Sequence, residues 1–323
     1  MKKILLYAAL LLPMGNLCAQ MPGGFMNFGD QPAAVPSPLA VNLDFSEAET
    51  TPVAEGAVEV LKGVVYVDRD GTELHLNILY PKNATGPLPC IIYIPGSAWM
   101  KQNIDMSIPN LERFAARGYV MALVEYRPSS EGQFPAQVQD AKTAMRFMRK
   151  NAELYHVDTN NVFVWGDSSG GHTALMVGFT VGIPEMDTDV YGEYSDQVNA
   201  IADYFGPSDL VTLAGIPNML NQNPETSPEA MLIGGSIAAN PEKARKASPV
   251  FAITADVPPT LVAHGDKDFL VPLSQSDEVA EGLEKAGVDY EYYCLLGGGH
   301  ETREFWTDGM FDIVDKFFRR NMK

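Results

Sequence analysis

From about residue 57 onward the chain alternates short, mostly apolar runs with longer stretches of helical spacing. The short runs are Pro89 to Ile94, Tyr119 to Glu125, Val162 to Trp165, Asn199 to Phe205, Thr260 to Ala263 and Tyr290 to Leu296. Their length, their β-branched and aromatic content and the turn residues that bound them predict buried strands. Between them, Ser107 to Arg117 places Leu111, Phe114 and Ala115 on one face. A longer helix opens at Phe134-Pro135-Ala136 and runs to about Tyr155, with Ala141, Ala144, Met145, Met148 and Ala152 as its apolar stripe. Ser274 to Ala286 predicts another helix, stopped by Gly287, and Phe305, Met310, Phe311, Val314 and Phe317 mark a C-terminal one. Upstream, Val58 to Val67 and Glu73 to Tyr80 alternate apolar and polar residues around Asp68-Arg69-Asp70-Gly71, which predicts an antiparallel hairpin. A hairpin followed by strand–helix alternation predicts an α/β fold with a mostly parallel sheet and helices on both faces.

The polar positions refine this picture. Lys142, Arg146, Arg149 and Lys150 fall mainly off the stripe of the long helix and are expected to be solvated. Asp140, near its start, suits the helix dipole or supports the core, and Arg127 reads as a structural ion-pair partner. Residues 182–197 are acidic and loop-like; residues 210–248 mix short helices with polar Asn221-Gln222-Asn223-Pro224-Glu225, the natural place for a small cap or lid. No repeat or composition break interrupts residues 57–323, which read as one domain. Residues 20–56 are rich in Pro, Gly and Met without periodicity, and read as a leader that packs on the surface or stays disordered.

The first nineteen residues have another character. Lys2 and Lys3 precede an apolar run from Ile4 to Leu12, then a Pro13-Met14-Gly15 break and Leu17-Cys18-Ala19. This is the layout of a secretory signal cleaved after Ala19, too short to span a bilayer, and it places the mature chain in the periplasm or outside the cell. Lipid anchoring at Cys18 fits less well, because Gly15-Asn16-Leu17 is a poor lipobox. No later stretch is long enough to cross a membrane. Cys90 and Cys294 remain in the mature chain, both in apolar runs, and are expected as buried thiols rather than a disulfide. With 46% hydrophobic residues the 323-residue chain can build a sizeable core, and its net charge of −18 argues against a nucleic-acid partner.

The chemistry centres on Val162-Phe163-Val164-Trp165-Gly166-Asp167-Ser168-Ser169-Gly170-Gly171-His172, an apolar strand that turns through G-x-S-x-G into a helical run. That context makes Ser168 the candidate nucleophile on a strained turn, whose neighbours Gly166 and Gly170 lack a Cβ. A serine hydroxyl needs a base, and the base needs an acid to orient it. On such a sheet the acid and the histidine follow the serine in that order, each just after a strand. Asp268 and His300 fit; Asp266 is the rival acid, disfavoured because the longer offset lets Asp268 turn back toward the histidine. His172 is expected to face packing, His264 to end a buried strand, and His75 and His156 to lie away from the site. For the oxyanion hole, the N–H groups of Ser97 and Ala98, after the strand ending at Ile94, join that of Ser169. Trp99 and Tyr126 are candidate walls of the substrate pocket. No metal-ligand cluster or dinucleotide loop is present, so no cofactor is expected.

These motifs resemble the α/β-hydrolase superfamily over about residues 57–320, and look most like its secreted esterase branch, grouped with hormone-sensitive-lipase-like and bacterial feruloyl or acetylxylan esterases. The resemblance rests on Gly96-Ser97-Ala98-Trp99, Tyr126-Arg127, Phe134-Pro135-Ala136-Gln137 with Asp140, the Gly166–His172 elbow, His264-Gly265 with Asp268 and Val271-Pro272, and Gly299-His300. Two positions depart from that branch: its H-G-G-G oxyanion loop reads Pro95-Gly96-Ser97-Ala98, and its usual alanine after the nucleophile is Ser169. The resemblance implies hydrolysis of short acyl or feruloyl esters of carbohydrate. A serine exopeptidase or a non-catalytic binding module on the same scaffold are the alternatives; the first would need an added domain to select peptides, and an intact Ser168, Asp268 and His300 set argues against the second.

Overall fold

The computed structural model describes residues 33–216, 220 and 223–323. The signal segment, Cys18 and the first part of the leader lie outside them. The strands are β1 (Val41–Leu43), β2 (Val58–Arg69), β3 (Thr72–Pro81), β4 (Leu88–Ile94), β5 (Val120–Val124), β6 (Val157–Asp167), β7 (Ile201–Tyr204), β8 (Thr260–Gly265) and β9 (Tyr290–Leu295). The helices are α1 (Ile108–Ala115), α2 (Ala136–Lys150), α3 (Ser169–Phe179), α4 (Leu210–Ala214), α5 (Pro228–Ile233), α6 (Pro241–Lys246), α7 (Ser274–Ala286) and α8 (Asp308–Arg320). Among the described residues, the nine strands join one sheet in the order β1-β9-β8-β7-β6-β4-β5-β3-β2. The β2–β3 and β3–β5 pairs are antiparallel and the other neighbours parallel.

The sheet is mostly parallel because its central strands are covered on both faces. Every residue of β5 is buried, as is the Val162–Asp167 part of β6, so both strands are continuous apolar runs rather than alternating ones. On one face α2, α3 and α7 deliver Met145, Leu175, Val177, Val279 and Leu283 to the core; on the other α1 and α8 deliver Leu111, Phe114, Phe311 and Phe317. α7 ends at Gly287 in the left-handed region (φ 71°), which its residue type supplies without strain. Between β7 and β8, α4, α5 and α6 form the expected cap, with a small core of its own around Leu210, Leu213, Leu232 and Ile233. Asp209 and Ser227 cap α4 and α5 through their side chains.

Several expectations change. Residues 33–56 belong to the same compact unit as the rest, so the body begins before 57. β1 adds a parallel edge strand beside β9, with Val41 opposite Tyr293, and Thr51 is held by Asp308. Backbone hydrogen bonding needs no hydrophobic period, and therefore this strand carried no sequence signal. The long helix stops at Lys150, short of Tyr155. Lys142, Arg146 and Arg149 are buried, not solvated. Their partners come from the acidic 182–197 segment: Lys142 pairs with Asp196 at 3.0 Å, Arg146 with Asp187 at 2.5 Å, and Arg149 donates to the Ser195 and Gln197 carbonyls. That loop is thereby fastened along α2. Asp140 is fully buried between Arg69 and Arg127, which makes it a core ion-pair hub. Cys90 and Cys294 are free and buried, and burial raises each thiol to about 12, which leaves them unreactive. Among the described residues no helix is long and apolar enough to cross a membrane.

Candidate active site

The carboxyl ends of β4, β6, β8 and β9 converge, and the loops leaving them carry the candidate residues. Ser168 sits between β6 and α3 with φ 52° and ψ −127°, a conformation that L-residues adopt only when the surroundings hold them there. Its N–H donates to Tyr204 O at 2.8 Å and its carbonyl accepts from His172 N at 3.0 Å. The turn is tight enough that a Cβ on Gly166 would stand 2.2 Å from Gly170 O. Only glycine fits, and the hydroxyl of Ser168 is thereby raised above the sheet.

His300 follows β9 and reaches back over Ser168. Its Nε2 lies 2.9 Å from Ser168 Oγ and its Nδ1 2.7 Å from Asp268 Oδ2. Asp268, in the loop after β8, is the acid that meets the histidine. Asp266 instead accepts from Gly297 N and shapes the β9 loop. The Asp268 side chain is fully buried; Oδ1 accepts from Leu270 N and Val271 N, and Oδ2 also faces His264 Nε2 at 3.3 Å. Burial opposes its charge, but the neighbouring imidazoles of His300 and His264 outweigh that and hold the carboxyl well below the usual range. Burial pulls His300 down, and the Asp268 carboxylate more than offsets it, so the imidazole is more basic than an ordinary histidine. The Phe205 ring packs against the imidazole at 4.7 Å between centroids.

The loop after β4 faces Ser168. Of its expected donors, the Ser97 N–H is already engaged, donating to Ser169 Oγ at 2.9 Å. Among the described residues the N–H groups of Ala98 and Ser169 have no acceptor, and these two remain for an oxyanion. Trp99 and Tyr126 do not wall an open pocket. Both are buried, Trp99 within this loop and Tyr126 beneath it, 1% and 0% exposed. Trp99 packs into the cap core and its Nε1–H donates to His172 Nδ1 at 3.3 Å. The Tyr126 hydroxyl donates to Pro95 O at 2.9 Å. The other histidines have structural partners: His172 Nε2 bonds Ala247 O at 2.7 Å, and His75 Nδ1 meets Glu125 at 2.7 Å. Burial drives His172 down to about 4, so it stays neutral and bridges α3, the loop after β4 and the cap.

Sequence reasoning missed the residue before the nucleophile. Asp167 is buried, accepts a short hydrogen bond from Tyr93 O–H, and its carboxyl is raised, by burial first and then by the nearby Glu301. Tyr93 lies on β4 and Asp167 at the end of β6, neighbouring strands, so only the sheet order could have revealed the pair.

A serine on a strand–helix elbow, followed in sequence by an acid after β8 and a histidine after β9 of this sheet, defines an α/β-hydrolase. Residues 76–283 match the BD-FAE family, and the chain belongs to it. It is 28% identical to esterase LipC of Mycobacterium tuberculosis over 86% of this chain and 68% of that one. A truncated carbohydrate esterase from gut microbiota superposes with a TM-score of 0.76 at 29% identity, covering 84% of this chain and 99% of that one. A bifunctional GH43-CE protein of Bacteroides eggerthii gives 0.74 at 29% identity over 81% of this chain, which spans 38% of that protein's length.

Proposed function

We propose that this protein is a secreted serine carboxylic-ester hydrolase that works through an acyl-enzyme, on short acyl or feruloyl esters of carbohydrate. The observation that carries this reading is the chain of contacts Ser168 Oγ–His300 Nε2–Asp268 Oδ2, at 2.9 and 2.7 Å, opposite the unengaged N–H groups of Ala98 and Ser169. In this mechanism His300 takes the Ser168 proton as Oγ attacks the ester carbonyl. The oxyanion accepts from Ala98 N and Ser169 N, and Asp268 holds Nδ1–H so that Nε2 is the basic nitrogen. His300 then passes its proton to the leaving alkoxide. Water, deprotonated by the same nitrogen, attacks the acyl-enzyme, and the acid leaves as Ser168 regains its proton. The esterase names of LipC and the gut carbohydrate esterase support the ester class, and the carbohydrate esterase and GH43-CE titles support a carbohydrate alcohol. The signal-like first nineteen residues support the exported part of this reading.

The test is a panel of nitrophenyl esters from acetyl to octanoyl, with methyl ferulate, acetylated xylan and a peptide amide, run on the full chain expressed in bacteria. Intact mass of the exported product reports cleavage after Ala19. Acetyl or feruloyl turnover that Ser168→Ala abolishes is the expected result. Amide turnover alone, or a Ser168→Ala variant as active as wild type, overturns the reading.

The raised basicity of His300 sets the pH profile. The base works only when neutral, so kcat/KM falls as pH drops through its pKa. That acid limb is expected at a midpoint above about 6.5, the ordinary histidine value. Asp268→Asn removes the carboxylate responsible and moves the limb down. A wild-type midpoint below the ordinary value would contradict the Asp268–His300 pairing.

A further inference from the structure

We infer that the Ser169 side chain is a positioning residue that locks the oxyanion loop in a strained shape through Ser97, with Tyr126 as its second anchor. The inference rests on the esterase reading above. Ala98 and Trp99 both have φ 53°, the left-handed region that favours glycine, yet neither is glycine. A loop with side chains at these positions does not hold that shape unaided. Bonds from outside the loop, and one within it, hold that shape. Ser169 Oγ, one residue past the nucleophile, accepts the Ser97 N–H at 2.9 Å. Within the loop Ser97 Oγ donates to Met100 O at 2.8 Å, and from outside it the Tyr126 hydroxyl donates to Pro95 O at 2.9 Å. Ser129 N closes the far side on Trp99 O at 2.8 Å.

The consequence concerns the next peptide. With the Ser97 N–H turned onto Ser169, the Ala98 N–H is the loop's donor to the oxyanion, and its direction depends on the positive φ values that follow from this clamp. Ser169 therefore acts twice: its N–H is an oxyanion donor, and its hydroxyl aims the other donor. Ser169→Ala separates the two, since it keeps the backbone N–H and removes only Oγ.

Ser169→Ala is expected to lower kcat by about 10- to 100-fold, the scale of a misaimed oxyanion donor, with KM within about twofold. The acid limb of kcat/KM should stay where it is, because His300 and Asp268 are untouched. Tyr126→Phe, which keeps the buried ring and removes the second anchor, should lower kcat in the same way and guards against a Ser169 variant that fails to fold. The decisive comparison is with Ala98→Gly. Glycine takes the left-handed conformation without strain, so removing Oγ should cost several-fold less kcat in the Ala98→Gly background than in the Ala98 protein. An unchanged kcat in Ser169→Ala, an equal loss in both backgrounds, or a shifted acid limb would overturn the inference. Ser168→Ala, assayed beside them, separates the two failures: full activity there removes the esterase reading itself, whereas an inactive Ser168→Ala beside a fully active Ser169→Ala removes only the clamp.

Discussion

Ser168→Ala is expected to lower kcat on the best ester by about 10⁴- to 10⁶-fold, and adding His300→Ala should cost less than about threefold more. The near-zero second step is the informative part. Ser168 Oγ and His300 Nε2 are 2.9 Å apart and in the proposed mechanism share one proton transfer, so His300 has nothing to accept once the hydroxyl is gone. The residual rate then belongs to the Ala98 and Ser169 N–H groups, which still polarise the carbonyl toward water. Asp268→Asn should lose about 10³- to 10⁴-fold, since an amide cannot hold the Nδ1 proton while accepting from Leu270 N and Val271 N. Steady-state rates with active-site titration, to exclude traces of wild type, provide the measurement. If the double variant fell 100-fold below Ser168→Ala, His300 would be working on something other than the serine proton.

The elements that bear on this chemistry differ in how far the sequence disclosed them. Ser168, Asp268 and His300 could be singled out because each depends on local grammar: a strand, then a tight turn, then glycines or a helix. The loop after β4 is legible along the chain, but which of its N–H groups are engaged is not. Whether Ser97 points to substrate or to Ser169 depends on a hydroxyl 72 positions away. The same limit explains Lys142, Arg146 and Arg149. Their spacing off the apolar stripe is that of a solvated face, and only the docking of residues 182–197 turns that face inward. Trp99 and Tyr126 were recognised as belonging near the site. Aromatic rings near a catalytic loop can line the pocket or support the loop, and burial decides between them; here both support it.

Gly170→Ala is expected to destabilise the fold by more than about 4 kcal/mol, although alanine is the better helix former by about 1 kcal/mol. Gly170 occupies the first turn of α3 and packs directly on the end of β4. A Cβ there would stand 1.9 Å from Ile94 O, 2.7 Å from Ile94 C and 2.8 Å from Pro95 C, all backbone atoms that no rotamer change can clear. The helix would have to lift from the strand, which pulls Ser169 Oγ off Ser97 N and tilts Ser168 away from His300. Gly178, two turns further along the same helix, is the internal control. Its added Cβ would meet the side chain of Ile201, with Cδ1 at 2.3 Å and Cγ1 at 2.8 Å, and a side chain can rotate where a carbonyl cannot. Overpacking of that kind costs about 1–3 kcal/mol, partly returned by helix propensity. Urea midpoints of the two variants should therefore separate clearly, with Gly170→Ala yielding little folded protein. Equal midpoints would mean that α3 can shift along the sheet, and the close contact between elbow helix and β4 would then not be what fixes the nucleophile.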